Sequence, residues 1–149
     1  QTSDLADIAA LALAHSRHER QVSDSTGSSK SVQDDGDANA LVGQDDGRVQ
    51  LLDLASGREI RVFTGHSKRI EAICADWKSQ QAISAGGDGH VFLWDLTIGI
   101  GSELRAEGLR RCCTRALVAD WTEGKAKALS GNDDGRLVLW DLEKRQAEK

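Results

Sequence analysis

The sequence predicts an all-β chain of consecutive four-stranded antiparallel sheets, preceded by a short N-terminal helix. An Asp-Gly turn stands just ahead of an apolar strand in three registered copies: Asp45-Asp46-Gly47-Arg48-Val49-Gln50-Leu51-Leu52-Asp53-Leu54, Gly87-Asp88-Gly89-His90-Val91-Phe92-Leu93-Trp94-Asp95-Leu96 and Asp133-Asp134-Gly135-Arg136-Leu137-Val138-Leu139-Trp140-Asp141-Leu142. The steps from Asp46 to Asp88 and from Asp88 to Asp134 are 42 and 46 residues, a period typical of tandem structural repeats. A second marker keeps step, with Ala75-Asp76-Trp77 and Ala119-Asp120-Trp121 lying 44 residues apart.

Within one period the strand signals come four at a time. In the middle unit they fall at Arg69 to Ala75, Gln81 to Ala85, His90 to Leu96 and Ser102 to Ala106. The third is apolar on both faces, with Val91 and Leu93 alternating against Phe92, Trp94 and Leu96, so a covering sheet is required on each side. The fourth is more charged and reads as an outer edge. Residues 4–20 show helical spacing instead, with Leu5, Ile8, Ala9 and Ala12 on one face and Ser3 as N-cap. Residues 21–37, rich in Ser, Asp and Gly, read as a flexible linker, with a weak strand at Ser29 to Gln33 that could complete the opening unit. The expected division is therefore 1–37, helix and linker, and 38–149, the repeat body.

Composition narrows the function classes. With 149 residues, 39% apolar and 29% charged, the chain fits one soluble domain. Residues 1–40 carry seven acidic side chains against three basic, so most of the net charge of −5 sits there. A pI near 5.3 disfavours a phosphate-backbone binder. The longest apolar run, Ile8 to Ala14, breaks at His15, far short of the ~20 residues of a membrane span, and it lacks the basic flank of a secretory signal. Cys74 stands alone and Cys112 and Cys113 are adjacent, a pattern of reduced thiols rather than a disulfide framework. An intracellular location, cytoplasmic or nuclear, is expected. The chain opens at Gln1 rather than Met, which reads as a segment of something longer or a processed form.

Tandem units of this length, with Gly-His before the first strand and Trp-Asp at the end of the third, resemble the WD-repeat β-propeller family over residues 38–142. The middle unit carries Gly65-His66, Ser84, Asp88 and Trp94-Asp95; the third keeps Ser130, Asp134 and Trp140-Asp141 but has Gly108-Leu109 about where Gly-His would fall; the first has Val42 for Ser and Leu52 for Trp. The resemblance implies about three blades of a partial propeller. It also implies a buried hydrogen-bond chain through His66, Ser84, Asp88 and Trp94, with Ser130, Asp134 and Trp140 as its counterpart. Its functional implication is a non-catalytic protein-interaction scaffold, binding a protein or peptide, without metal or cofactor. An open arc of blades would also self-associate through its bare edges.

Other readings of the same residues belong beside this one. His66, Ser84 and Asp88 are the ingredients of a serine hydrolase, although Ser84 lies inside a strand without a strained elbow. Asp45 with Asp46 and Asp133 with Asp134 could ligate calcium, but no regular array of oxygen ligands follows them. Cys112 and Cys113 could form a redox pair, against the strain of joining neighbours. Arg105, Arg110, Arg111 and Arg115 could contact nucleic acid, but Glu103 and Glu107 sit among them. In the up-and-down strand path, loops between blades and second-to-third turns share a face, which places Lys68, Arg69, Arg110, Arg111, Asp45 and Asp133 together as the expected partner surface. Trp77 and Trp121 fall on the opposite face.

Overall fold

The computed structural model describes residues 38–148 and, ahead of them, three strands: β1 (Ile8–Leu13), β2 (Glu19–Ser23) and β3 (Ser29–Gln33). The body continues with β4 (Asn39–Gln44), β5 (Val49–Asp53), β6 (Glu59–Phe63), β7 (Ile70–Asp76), β8 (Gln81–Gly86), β9 (Val91–Asp95) and β10 (Ile100–Glu103). It closes with β11 (Thr114–Asp120), β12 (Lys127–Asn132), β13 (Leu137–Asp141) and β14 (Gln146–Ala147). Three antiparallel four-stranded sheets result, in the orders β1-β4-β5-β6, β7-β8-β9-β10 and β11-β12-β13-β14; these are blades 1, 2 and 3.

The N-terminal helix expected over residues 4–20 is overturned where that stretch is described: Ile8–Leu13 is the first strand of blade 1, paired antiparallel with β4. A short apolar run satisfies helical and strand patterns equally, and the open edge of β4 supplies the backbone partners that decide between them. Residues 4–7 and 14–18 lie outside the described residues. The expected linker is also corrected in part, because Glu19–Ser23 and Ser29–Gln33 pair as a hairpin, while residues 24–28 and 34–37 lie outside the described residues. Ser29–Gln33 therefore does not open blade 1; β1 does, and the blade begins well ahead of residue 38. In blade 2 the fourth strand is Ile100–Glu103, two residues earlier than expected.

Each blade is shaped by the same local devices. The register of the first strand slips at one equivalent place, between Ile8 and Ala10, Ile70 and Ala72, and Thr114 and Ala116, a bulge that adds twist to the innermost strand. The second-to-third turns close on an aspartate whose carboxylate accepts the N–H two residues on: Arg48 to Asp46 at 3.0 Å, His90 to Asp88 at 3.0 Å and Arg136 to Asp134 at 3.1 Å. The third-to-fourth turns repeat the device from Asp53, Asp95 and Asp141. Four residues on, these turns need a left-handed residue, which is Gly57 (φ 69°) and Gly99 (φ 80°) in blades 1 and 2 but Arg145 (φ 55°) in blade 3. That conformation costs a side-chain-bearing residue on the order of 1 kcal/mol.

The core consists of two inter-blade layers. Leu41, Val49, Leu51 and Phe63 of blade 1 meet Ile70, Ile73, Ala82, Trp94 and Leu96 of blade 2. Ile83, Ala85, Val91, Leu93 and Leu104, around the other side of blade 2, meet Ala128, Val138, Trp140 and Leu142 of blade 3. Among the described residues, nothing packs over the far face of blade 3. Leu137, which occupies the position of Val91, is 71% exposed against 2%, and Val118 is 60% exposed. Blade 3 also borrows chain from blade 2: Arg105 pairs in parallel with Gln146, its N–H donating to the Arg145 carbonyl at 2.9 Å and its carbonyl accepting from Ala147 at 2.8 Å.

Candidate functional site

The middle blade holds a continuous chain of buried polar groups. The Trp94 indole N–H donates to Ser84 Oγ at 2.8 Å, and Ser84 Oγ lies 2.9 Å from His66 Nε2. His66 Nδ1 lies 3.0 Å from an Asp88 carboxylate oxygen. One set of protons satisfies every member: indole N–H to hydroxyl, hydroxyl O–H to Nε2, and Nδ1–H to carboxylate, with the imidazole neutral. Asp88 also accepts the backbone N–H of Ser67 at 2.8 Å and of His90, so the entry loop and the second-to-third turn share one anchor. Burial, above all, holds the His66 imidazole below the usual histidine range, against the pull of Asp88. Burial pushes the Asp88 carboxyl the other way, but its hydrogen bonds to Ser67, His90 and His66 outweigh that and keep it below the usual range. Ser84 is fully buried, and its oxygen is enclosed between indole and imidazole, a placement that ties strands together and leaves no approach for an acyl substrate.

Blade 3 keeps only the inner half of this chain. Trp140 donates to Ser130 Oγ at 2.9 Å, but Asp134 lies outside the chain of bonds and instead accepts from Cys112 Sγ at 3.0 Å and from Arg136 N. A hydrogen bond from Thr114 Oγ1 to Asn132 Oδ1 at 3.0 Å joins the first two strands at that level. Neither Cys112 nor Asn132 was singled out as a partner by sequence reasoning; the pairing of Thr114 with Asn132 is legible only once the strand register is known. The Cys112 thiol is pushed up first by its bond to Asp134, and the Cys113 thiol by burial and the nearby Glu71, which makes both poor thiolates.

The charged residues gather along one face in blade-to-blade pairs. Arg69 Nε lies 3.5 Å from Asp45 and 3.5 Å from Glu71, and the Arg69 carbonyl accepts from Gly87 N at 2.9 Å. A Cβ at Gly47 would stand 2.8 Å from the Lys68 carbonyl, and one at Gly89 3.1 Å from Arg111 Cβ. Asp133 N donates to the Cys113 carbonyl at 2.9 Å. Arg111 reaches Glu103 at 3.3 Å and also bonds His90, whereas Arg115 pairs with Glu71 at 3.6 Å. Arg110 is exposed. The arginine cluster is thus threaded with carboxylates, and Arg105, whose backbone pairs with Gln146, is exposed. Asp46 is held by Arg48, and among the described residues no group of three or more His, Cys, Asp or Glu side chains converges as a metal site. On the opposite face, Trp121 borders a groove of ≈ 460 Å³ between blades 2 and 3, while Trp77 packs against the layer between blades 1 and 2.

The repeated sheets with their His-Ser-Trp anchoring find direct counterparts. The sequence profile of the family described as "WD domain, G-beta repeat" matches residues 57–95, the stretch that holds the full polar chain. Residues 57–95 thus match a WD repeat, and the chain is similar to WD-repeat β-propeller proteins. Its WD repeats are 35% identical over 81 residues to Shk1 kinase-binding protein 15 of Schizosaccharomyces pombe, covering 54% of this chain and 23% of that protein. They are 28% identical over 108 residues to meiotic fizzy-related protein 1 of the same yeast, covering 67% and 23%. The chain therefore spans about a quarter of the length of these curated relatives. Among solved structures, the Cps50 (Swd1) β-propeller domain of Myceliophteria thermophila superposes with a TM-score of 0.58 at 22% identity, covering 69% of this chain and 30% of that one. The computationally designed Ika4 protein gives 0.62 at 23%, covering 74% and 64%. Both likenesses concern the fold. Among the described residues no helix is long and apolar enough to cross a membrane.

Proposed function

We propose that this WD-repeat chain is a non-catalytic, intracellular protein-interaction scaffold whose partner docks on the charged face formed by Lys68, Arg69, Arg110, Arg111, Asp45 and Asp133. The observation that carries the reading is the contact of each second-to-third turn with the neighbouring inter-blade loop, as in Asp45 with Arg69, which presents both signs of charge on rigid supports. Alternating charge orients a polar partner and rejects wrong registers. The names of two relatives, a kinase-binding protein and a B-type cell cycle switch protein, favour a regulatory binding role over chemistry. Photocrosslinking from positions 69 and 111 identifies the partner, whose affinity is then measured directly. Arg69→Glu with Arg111→Glu is expected to weaken binding about tenfold or more, and Trp77→Ala to leave it nearly unchanged. The reverse pattern would move the site to the tryptophan face.

A further inference from the structure

Arg145 is a structural exception. It occupies the left-handed position of a third-to-fourth turn, where blades 1 and 2 carry Gly57 and Gly99, and among the described residues no side-chain hydrogen bond is seen from it. Gln80, the other non-glycine in this conformation among the described residues, differs, because its side chain donates to the Trp77 carbonyl. A residue held in a costly backbone conformation invites the question of what its side chain does.

Arg145 lines two neighbouring cavities. One, of ≈ 460 Å³, is floored by Leu93 and Leu142 and walled by Trp121; the other, of ≈ 110 Å³, runs along the outer strand of blade 2 past Ile98 and Ile100. Gln81, Leu93 and Arg145 line both, so the two are lobes of one groove across the boundary of blades 2 and 3. Ile98 and Ile100, 59% and 63% exposed, are two residues apart and are among the most exposed large apolar side chains described. An apolar floor with few polar groups at the rim is the usual form of a recognition pocket.

The charge at the junction selects the ligand. Asp76 and Asp95 also line the groove, but their carboxylates already accept the N–H groups of Lys78 and Ser79 and of Thr97 and Ile98. Glu123 and Glu143 rim only the Trp121 lobe, beside Lys78. Arg145 lines both lobes, and among the described residues no carboxylate lies within ion-pairing distance of it. We propose that this groove binds an extended peptide in which Asp or Glu, received by Arg145 and Gln81, is flanked by a bulky apolar residue against Trp121 and an aliphatic one against Ile98 and Ile100. Guanidinium and carboxylate supply the directional contact, and the two lobes supply the apolar burial.

This site is separate from the charged face, and the test keeps the two apart. Fluorescently labelled, N-acetylated and C-amidated hexapeptides, with Trp, Phe or Leu on one side of a central Asp or Glu and Ile or Val on the other, are titrated with the full chain beside Asn and Gln versions. The acidic peptides are expected to bind at least tenfold more tightly than their amides. Arg145→Gly, which restores the residue the other turns carry, should abolish that preference without lowering the melting temperature. Ile98→Ser should weaken every bound peptide, and Arg69→Glu with Arg111→Glu should change none. Equal affinity for acid and amide, a preference that survives Arg145→Gly, or no binding at millimolar peptide would overturn the proposal.

Discussion

Blades 2 and 3 have the same strand order and the same bulge, yet they are held together differently. Blade 2 is covered on both faces and carries a complete polar chain from Trp94 to Asp88. Blade 3 is covered on one face, and its chain ends at Ser130, with Thr114 and Asn132 bonded above. The difference teaches that the backbone of a blade is specified by turns and strand pairing, which both blades share, whereas rigidity is specified by burial and polar closure, which only blade 2 has in full.

The sharpest way to break the comparison is to place a charge at one equivalent position in each blade. Val91→Lys, at a position 2% exposed, is expected to destabilise by about 4 kcal/mol or more, while Leu137→Lys, 71% exposed, should cost within about 0.5 kcal/mol. Urea denaturation measures both, and similar costs would show that the far face of blade 3 is covered in solution. Light scattering on Leu137→Lys should also show less self-association than the parent chain, because the bare apolar strip is interrupted.

The polar chains give the next effect in size. His66→Ala removes the partner of both Ser84 and Asp88 and should cost about 2–3 kcal/mol, against about 1 kcal/mol for Thr114→Val, which breaks one neutral bond. Equal losses would mean that the His66 chain adds nothing beyond a single bond.

Acid sharpens the contrast without mutation. His66 has a lowered value in the folded state, so its contribution is fully present above the unfolded value of about 6.5 and is lost as pH falls toward the folded one. The lowered Asp88 carboxyl acts in the same direction further down, since its contribution is present above an unfolded value of about 3.9 and is lost as it protonates. Blade 3 contains no histidine. Hydrogen exchange corrected for intrinsic rates should therefore show β7 and β8 losing protection below about pH 6.5 while β11 and β12 change little; a uniform response would remove His66 as the cause.

The smallest effect is a gain. Arg145→Gly should raise stability by about 0.5–1 kcal/mol by relieving the left-handed backbone, read from the urea midpoint. A loss would mean that the arginine side chain stabilises its turn.

Much of this was legible in the sequence because the devices are local. Asp46, Asp88 and Asp134 each sit at the centre of a three-residue turn, and the strands that follow alternate or run apolar according to what must cover them. The Ser84 and Asp88 positions are displayed by the repeat, as Ser130 and Asp134 in the third unit, whereas His66 sits in an entry loop and has no counterpart there. Blade 1 was harder. Ile8-Ala9-Ala10-Leu11 matches Ile70-Glu71-Ala72-Ile73, but at an offset of 62 residues, because the hairpin of β2 and β3 is inserted after the first strand and breaks the period. Comparing first strands alone, rather than whole units, would have found it. Arg145 was illegible for another reason: backbone handedness at a non-glycine residue leaves no pattern in the sequence.

The pairing of Arg105 with Gln146 sets an order of assembly. Most contacts within a blade join neighbouring strands and form quickly, since little chain must be ordered between them. The last strand of blade 3 has partners of two ages: β13, just ahead of it, and the chain leaving blade 2, 41 residues earlier. During synthesis that earlier segment emerges first and stands as a template before β14 exists. Blade 3 can therefore begin to fold alone, but it finishes only on a completed blade 2, and a defect that delays the middle blade leaves the final strand without its second rail.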